Sequence, residues 1–262
     1  MQKIWAIGLN TFREAIRNKV LYSLLFFAVT VILASLAFGA LSVHEEVRLT
    51  TDLGLAGMSL FAVIIAIFVG VNLVYKELER KTIYMLLPKP IQRWQFVLGK
   101  FVGLVLTLGL LEVVMTGVLL GVLALQGAEL RAPLFMMVSL IFLEVVVVTA
   151  VAVLFSSFST PFLSGAFTIG VFLLGRSVPD IRAVAGKLTN PVLASLLDGI
   201  SRVVPNLRYF YATGGETDGA RVSVNGVFVD WSYVGLAGAY GLLYATLVLL
   251  LAMALFSRRD FV

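Results

Sequence analysis

Two carboxylates, Glu112 and Glu144, stand inside long apolar runs of the sequence. A charge at the centre of a bilayer costs about 3 kcal/mol or more, so such residues face a bundle interior, pair with a cation, or carry a proton. They offer three kinds of chemistry: binding a cationic group, relaying protons, or reshaping a pathway between two states. The plainer alternative is that each is neutral and hydrogen-bonded to a neighbouring helix, through Thr116 or Thr149. Other chemistries lack their residues. The absence of cysteine removes disulfides, thiolate metal sites and cysteine nucleophiles. The single histidine, His44, cannot build a histidine-rich metal centre within one chain. No paired histidine or serine–lysine dyad stands out, so no catalytic residue and no metal ligand set is expected. A phosphate-cradling loop needs Gly-x-x-x-x-Gly-Lys followed by Ser or Thr. Gly99-Lys100 is followed by Phe101 and Gly186-Lys187 by Leu188, so both fail. The chain is expected to hydrolyse no ATP itself and to hold no cofactor of its own.

The elements that carry these residues follow from composition. Of the 262 residues 60% are hydrophobic and 13% charged, against about 45–50% and about 25% in soluble domains. Folding alone cannot hide that much apolar surface from water, so lipid is part of the solvent. Apolar runs at 20–42, 53–75, 96–125, 133–156, 161–179 and 231–256 each approach the roughly 20 residues needed to cross the hydrocarbon. The expected fold is an all-α polytopic membrane protein with six transmembrane helices, forming one permease domain over 1–262. The run at 96–125 is over-long and is expected to tilt or project. Glu112 lies in the third span, running outward, and Glu144 in the fourth, running inward, so both fall at similar depth. Residues 1–19 precede the first span. Within them Trp5, Leu9, Phe12 and Ile16 form one helical stripe, opposed by Asn10, Arg13 and Arg17. That is the pattern of a helix lying in the membrane interface.

Orientation follows from Lys and Arg. One side holds the N-terminus, the 76–95 loop, the 156–161 turn, Lys100 and the C-terminus, with 12 basic and 4 acidic residues. The other side has 8 basic and 9 acidic residues. The first side is assigned to the cytoplasm, with both termini inside. This distribution assigns the net charge of +5 to topology, and no nucleic-acid partner is expected. The external segment 180–230 is the largest piece between spans. Val192, Leu193, Leu196, Leu197, Ile200 and Val204 form a helical stripe there, read as an interfacial or re-entrant helix over 191–204 ended by Pro205. Asn225-Gly226 between β-branched runs predicts a small β-hairpin over 221–229. Gly99-x-x-x-Gly103 and Gly117-x-x-x-Gly121 permit close helix approach, and contact between two chains is one use of it.

The loop between the second and third spans carries more pattern than a connector needs. Lys76, Glu77, Glu79, Arg80 and Lys81 give way to the apolar stretch 82–87, which Pro88 and Pro90 stop. A charged front, a short helix and a rigid stop suit an element pressed against a cytoplasmic partner. Glu79-Arg80-Lys81-Thr82, Leu86-Leu87, Pro90, Arg93 and Gly99-Lys100 resemble the coupling-helix region of type-2 ABC exporter permeases. The resemblance is closest to the multi-copper-enzyme-maturation and gliding-type group. It extends over most of the chain, through Pro205-Asn206-Leu207 before the last span and Ser257-Arg258-Arg259-Asp260 at the end.

The resemblance implies a division of labour. Two permease chains, as homodimer or heterodimer, form the membrane pathway in a prokaryotic inner membrane. Two cytoplasmic ABC ATPase subunits bind ATP and Mg beneath them and move the 77–87 helix. Glu77, Glu79, Arg80, Lys81 and Thr82 are the expected polar docking contacts, with Ile83, Met85 and Leu86 inserting apolar ones. Export is the expected direction, and the apolar pathway favours a lipid-like or amphipathic cargo. The alternative is a non-transporting component that transmits ATPase-driven change to a periplasmic partner, which the long external segment would also suit.

Overall fold

The computed structural model describes residues 2–41, 46–79, 92–129, 131–188, 190–211, 215–217, 220–222 and 230–257, with backbone alone over 72–79 and the strand residues. In chain order the helices are α1 (Gln2–Ile16), α2 (Lys19–Gly39), α3 (Glu46–Glu79), α4 (Arg93–Leu125), α5 (Ala132–Ser156), α6 (Pro161–Arg176), α7 (Val178–Ala185), α8 (Pro191–Val203) and α9 (Trp231–Ser257). A 3-10 turn covers Leu207–Phe210, and two short strands, β1 (Gly215–Thr217) and β2 (Ala220–Val222), pair antiparallel.

Five helices, α2 to α5 and α9, are long and apolar enough to cross a membrane. The pair α6 and α7 passes the same test only jointly and is bent by 64° at its break, so the described residues hold five candidate spans, or six if the pair is one. The valine run Val145–Val148 would favour a strand in water. Inside α5 it is helical, because a span must satisfy its backbone groups within itself and this requirement overrides propensity. Punctuation is local. Asn18 caps α2 by accepting from the Val20 N–H at 3.1 Å. Pro133, Pro161, Pro179 and Pro191 occupy the first turns of α5, α6, α7 and α8, where a missing N–H costs nothing. Gly127 adopts φ 69° after α4, and the Ala128 N–H reaches back to the Leu123 carbonyl at 3.0 Å, a left-handed stop that glycine makes without strain.

The bundle is layered. In their most apolar windows α3 and α5 are 67% buried, whereas α2 is 22% buried. Thus α3 and α5 form the interior, and α2 presents Phe26, Phe27, Leu33 and Phe38 outward. Helix α1 lies against α4 through small residues. Gly8, Thr11 and Ala15 are its buried positions. A Cβ at Gly103 would stand 2.4 Å from the Gly8 carbonyl oxygen, and one at Gly99 would stand 2.7 Å from the Ile7 Cβ. Lys100, buried between them, pairs with Glu14 at 3.5 Å. Of the stripe of Trp5, Leu9, Phe12 and Ile16, Trp5 is exposed and the other three are half-buried.

Several expectations change. The helix carrying the second span begins at Glu46 rather than 53, extended by a polar first turn in which Arg48 and Asp52 pair at i and i+4. The run 161–179 is not one straight span. It breaks at Ser177, where Pro179 enters the first turn of α7 and the chain turns. The hairpin expected at 221–229 is not supported. Residues 221 and 222 pair upstream, Glu216 opposite Arg221 and Gly215 opposite Val222. The residues between these strands are Asp218-Gly219, the other dipeptide that favours two-residue hairpins. Asn225-Gly226, with the rest of 223–229, lies outside the described residues. The two GxxxG pairs also separate. Gly99 and Gly103 are consumed by α1, whereas a Cβ at Gly117 or Gly121 would meet nothing within 4 Å.

Candidate functional site

Glu144 sits about 18 Å along α5, and Ser59 about 20 Å along α3, from their first residues at 1.5 Å per residue. Arg176 is the last residue of α6. The three meet. Arg176 Nε donates to Glu144 Oε1 at 2.9 Å and Nη2 donates to Oε2 at 2.8 Å, a two-pronged pair. Arg176 Nη2 also lies 2.6 Å from Ser59 Oγ, and the Ser59 hydroxyl donates to Glu144 Oε2 at 3.1 Å. Glu144 is fully buried and the Arg176 side chain is 23% exposed. The guanidinium packs over the rings of Phe172 and Tyr211, at 4.9 and 4.2 Å from their centroids. A planar donor fork matched to a carboxylate is the arrangement that arginine, not lysine, supplies.

The second carboxylate differs. Glu112 on α4 is 4% exposed, and its Oε1 has no hydrogen-bond partner. It lies within electrostatic reach of Glu144. The hydroxyls expected to satisfy these carboxyls are used elsewhere. Thr149 donates to its own helix at the Val145 carbonyl, and the Thr116 hydroxyl faces Met58 Sδ at 4.0 Å. Correcting the expectation, Glu144 is held by an ion pair rather than by a threonine. Arg176 escaped the sequence reading because it was counted with the outer loops. The available signal was an arginine within an apolar run, three residues before Pro179.

The backbone after α8 packs beside this pair. Pro205, Asn206, Leu207 and Phe210 are buried. A Cβ at Gly175 would stand 2.7 Å from the Pro205 carbonyl oxygen, and one at Gly241 would stand 2.9 Å from the Phe210 ring. Non-helical backbone in such a place needs partners, and three tyrosines on α9 provide them. Tyr233 donates to the Tyr209 carbonyl at 2.9 Å, Tyr244 to the Val203 carbonyl at 3.1 Å, and Tyr240 Oη accepts the Asn206 N–H at 2.8 Å. Asn206 itself caps the 3-10 turn through the Arg208 N–H at 3.2 Å. Tyr244 is about 20 Å along α9 from Trp231, so the end of α8 lies beside the middle of that helix. On α8, Val192, Leu193, Leu196 and Ile200 are exposed, and Arg182 ties α7 to Ser201.

Of the predicted docking residues, Glu77 and Glu79 fall in the last turns of α3, where the structure describes backbone only. Arg80, Lys81, Thr82, Ile83, Met85 and Leu86 lie outside the described residues.

A membrane bundle with a buried ion pair is common to many transporters, so sequence comparison decides among them. A family model described as ABC-2 family transporter protein matches residues 5–261. The chain belongs to the ABC-2 family. None of the curated proteins matches it. As an ABC-2 protein with five or six candidate spans, it is a polytopic membrane component of an ABC transporter, and membership implies an ATPase partner.

Proposed function

We propose that the chain is the membrane subunit of an exporter driven by a separate ATPase, which docks on the 77–87 stretch. The family match over 5–261 is the observation that carries this reading. In it the ATPase subunits hold ATP and Mg, and this chain is not catalytic. Two permease chains assemble in the inner membrane with both termini cytoplasmic. Glu77, Glu79, Arg80, Lys81 and Thr82 make the polar contacts, and Ile83, Met85 and Leu86 the apolar ones. The resemblance of Glu79-Arg80-Lys81-Thr82 to the copper-enzyme-maturation and gliding-type group supports placing the chain there.

The unbroken helix from Glu46 to Glu79 supports mechanical transmission. A push at its cytoplasmic end acts on the same rod that carries Ser59 against Glu144 and Arg176. ATPases move such a rod only if they bind two of its conformations unequally. The tie between Val203 and mid-α9 favours a re-entrant over an interfacial placement for α8. The test is flux in vesicles holding the tagged chain and its co-purified ATPase. ATP-dependent movement of a lipid-like or amphipathic cargo is expected. ATP hydrolysis coupled to this chain without movement of any cargo would overturn export and leave force transmission to a periplasmic partner.

A further inference from the structure

Helix α1 carries three different faces. Gly8, Thr11 and Ala15 form the small face, which is buried against α4. Trp5, Leu9, Phe12 and Ile16 form the apolar face, with Trp5 54% exposed. Lys3, Asn10, Arg13 and Arg17 follow at helical spacing on a third face, and all four are exposed. Arg17 lies one residue past the helix, but its N–H still bonds to the Arg13 carbonyl at 3.3 Å, so the spacing holds to it. The only acid between residues 2 and 20 is Glu14. It is half-buried and turned to Lys100 at 3.5 Å. The third face is therefore purely cationic. Neither Arg13 nor Arg17 pairs with a carboxylate among the described residues, and Lys19, also exposed, stands beside them unpaired.

The contacts with α4 fix where this helix lies. Ile7 meets Gly99, Gly8 and Thr11 meet Gly103, and Glu14 returns to Lys100. About 10 Å of α1 thus touches only about 6 Å of α4 at 1.5 Å per residue, so α1 crosses that span rather than running along it. The 33 residues of α4 measure about 50 Å, well beyond the roughly 30 Å of hydrocarbon. After Lys100 the helix carries one charge, Glu112, in 101–125, a stretch of about 37 Å. The excess length is therefore at the Arg93 end, and the crossing at 99–103 marks the membrane edge. At that edge α1 presents an apolar face and a cationic face side by side.

We propose that α1 is a binding site for anionic phospholipid, with Arg13 and Arg17 holding the headgroup phosphate and the face of Trp5, Leu9 and Phe12 lying along the acyl chains. The two arginines are one helical turn apart, close enough to share one phosphodiester, and a guanidinium matches phosphate oxygens with a fork of donors. An amphiphile with a negative head complements both faces at once, as amphipathic helices do at anionic membrane surfaces. Burial of Glu14 against Lys100 removes the one charge of α1 that would repel such a head. The site needs only the membrane placement of the chain and goes beyond its coupling to an ATPase.

Tryptophan quenching tests this on the full chain in vesicles, without the ATPase. Three tryptophans are present, so Trp94→Phe with Trp231→Phe leaves Trp5 as the sole reporter. The vesicles hold equal parts phosphatidylcholine and phosphatidylglycerol, with dibrominated chains on one lipid or on the other. Brominated phosphatidylglycerol is expected to quench Trp5 more, by a relative affinity of about fivefold or more, the factor that one cation near an anionic surface supplies. Adding Arg13→Gln and Arg17→Gln should bring the preference close to one while both lipids still quench. If that variant fails to fold, salt supplies the same test on the Trp5 reporter protein, because at 1 M the screening length shrinks to about 3 Å and the preference should fall. Equal quenching by the two lipids in the reporter protein would overturn the site. So would a preference that survives the glutamines or the salt, or no quenching by either lipid, which would mean that protein rather than lipid covers this face.

Discussion

At the scale of single residues, the pair of Arg176 and Glu144 dominates. Removing one partner of a buried pair leaves the other charge uncompensated and costs about 3–5 kcal/mol. Arg176→Met is therefore expected to lower the thermal stability of the purified protein markedly, as read by tryptophan fluorescence on heating. Arg176→Lys should recover only part of the loss, because an ammonium cannot reproduce the fork on Glu144. Equal stability of the parent and the methionine variant would remove the pair from the account. The two intramembrane carboxylates were legible in the sequence, because acids in apolar runs stand out. Their partners were not. Arg176 is 32 residues from Glu144 and Ser59 is 85 away, and nothing local encodes a meeting across three helices.

At the scale of elements, the tyrosines of α9 and the glycines of α4 make separable predictions. Tyr240→Phe removes the acceptor for the buried Asn206 N–H, an expected loss of about 1–3 kcal/mol. Hydrogen exchange should report it as faster exchange over 203–210 than elsewhere. Gly103→Val drives a side chain into the Gly8 carbonyl and Thr11 and is expected to cost about 1–3 kcal/mol or more. A Cβ at Gly117 meets nothing within 4 Å, so Gly117→Ala should leave monomer stability undiminished, a contrast that one melting experiment reads. At the start of α9, Asp230 accepts from the Tyr233 N–H at 2.8 Å and from the Ser232 hydroxyl, and these bonds, the backbone one first, hold its carboxyl below the usual aspartate value. A depressed folded value means the contribution is present at neutral pH and is lost as pH falls through that value. Asp230→Asn should accordingly flatten any acid-side loss of order at this helix start, followed by amide exchange at Tyr233. The spans were readable from hydropathy alone, within a few residues for most. Two features were not. The break at Ser177 turns on where the chain bends before Pro179, and the choice of Gly99 and Gly103 over Gly117 and Gly121 depends on where α1 lands. Spacing cannot tell an occupied small-residue face from an open one.

At the scale of the whole molecule, lipid-facing and inward-facing helices share one composition, so hydropathy marked the apolar helices without ordering them, and its sixth run proved to be a bent pair. Their layering emerged only when α3 and α5 proved interior and α2 peripheral. The long α3 connects the end where Glu77 and Glu79 lie to the buried pair through Ser59. The account's central claim is that a nucleotide-driven partner presses on that cytoplasmic stretch. The native chain has no cysteine, so Thr82→Cys places a single thiol in the stretch. The decisive measurement is crosslinking of that thiol in native membranes, followed by identification of the captured polypeptide. The account predicts capture of an ATP-binding subunit, with a yield that changes on adding nucleotide. Capture that yields lipid or this chain alone, with no nucleotide-binding polypeptide, would contradict it.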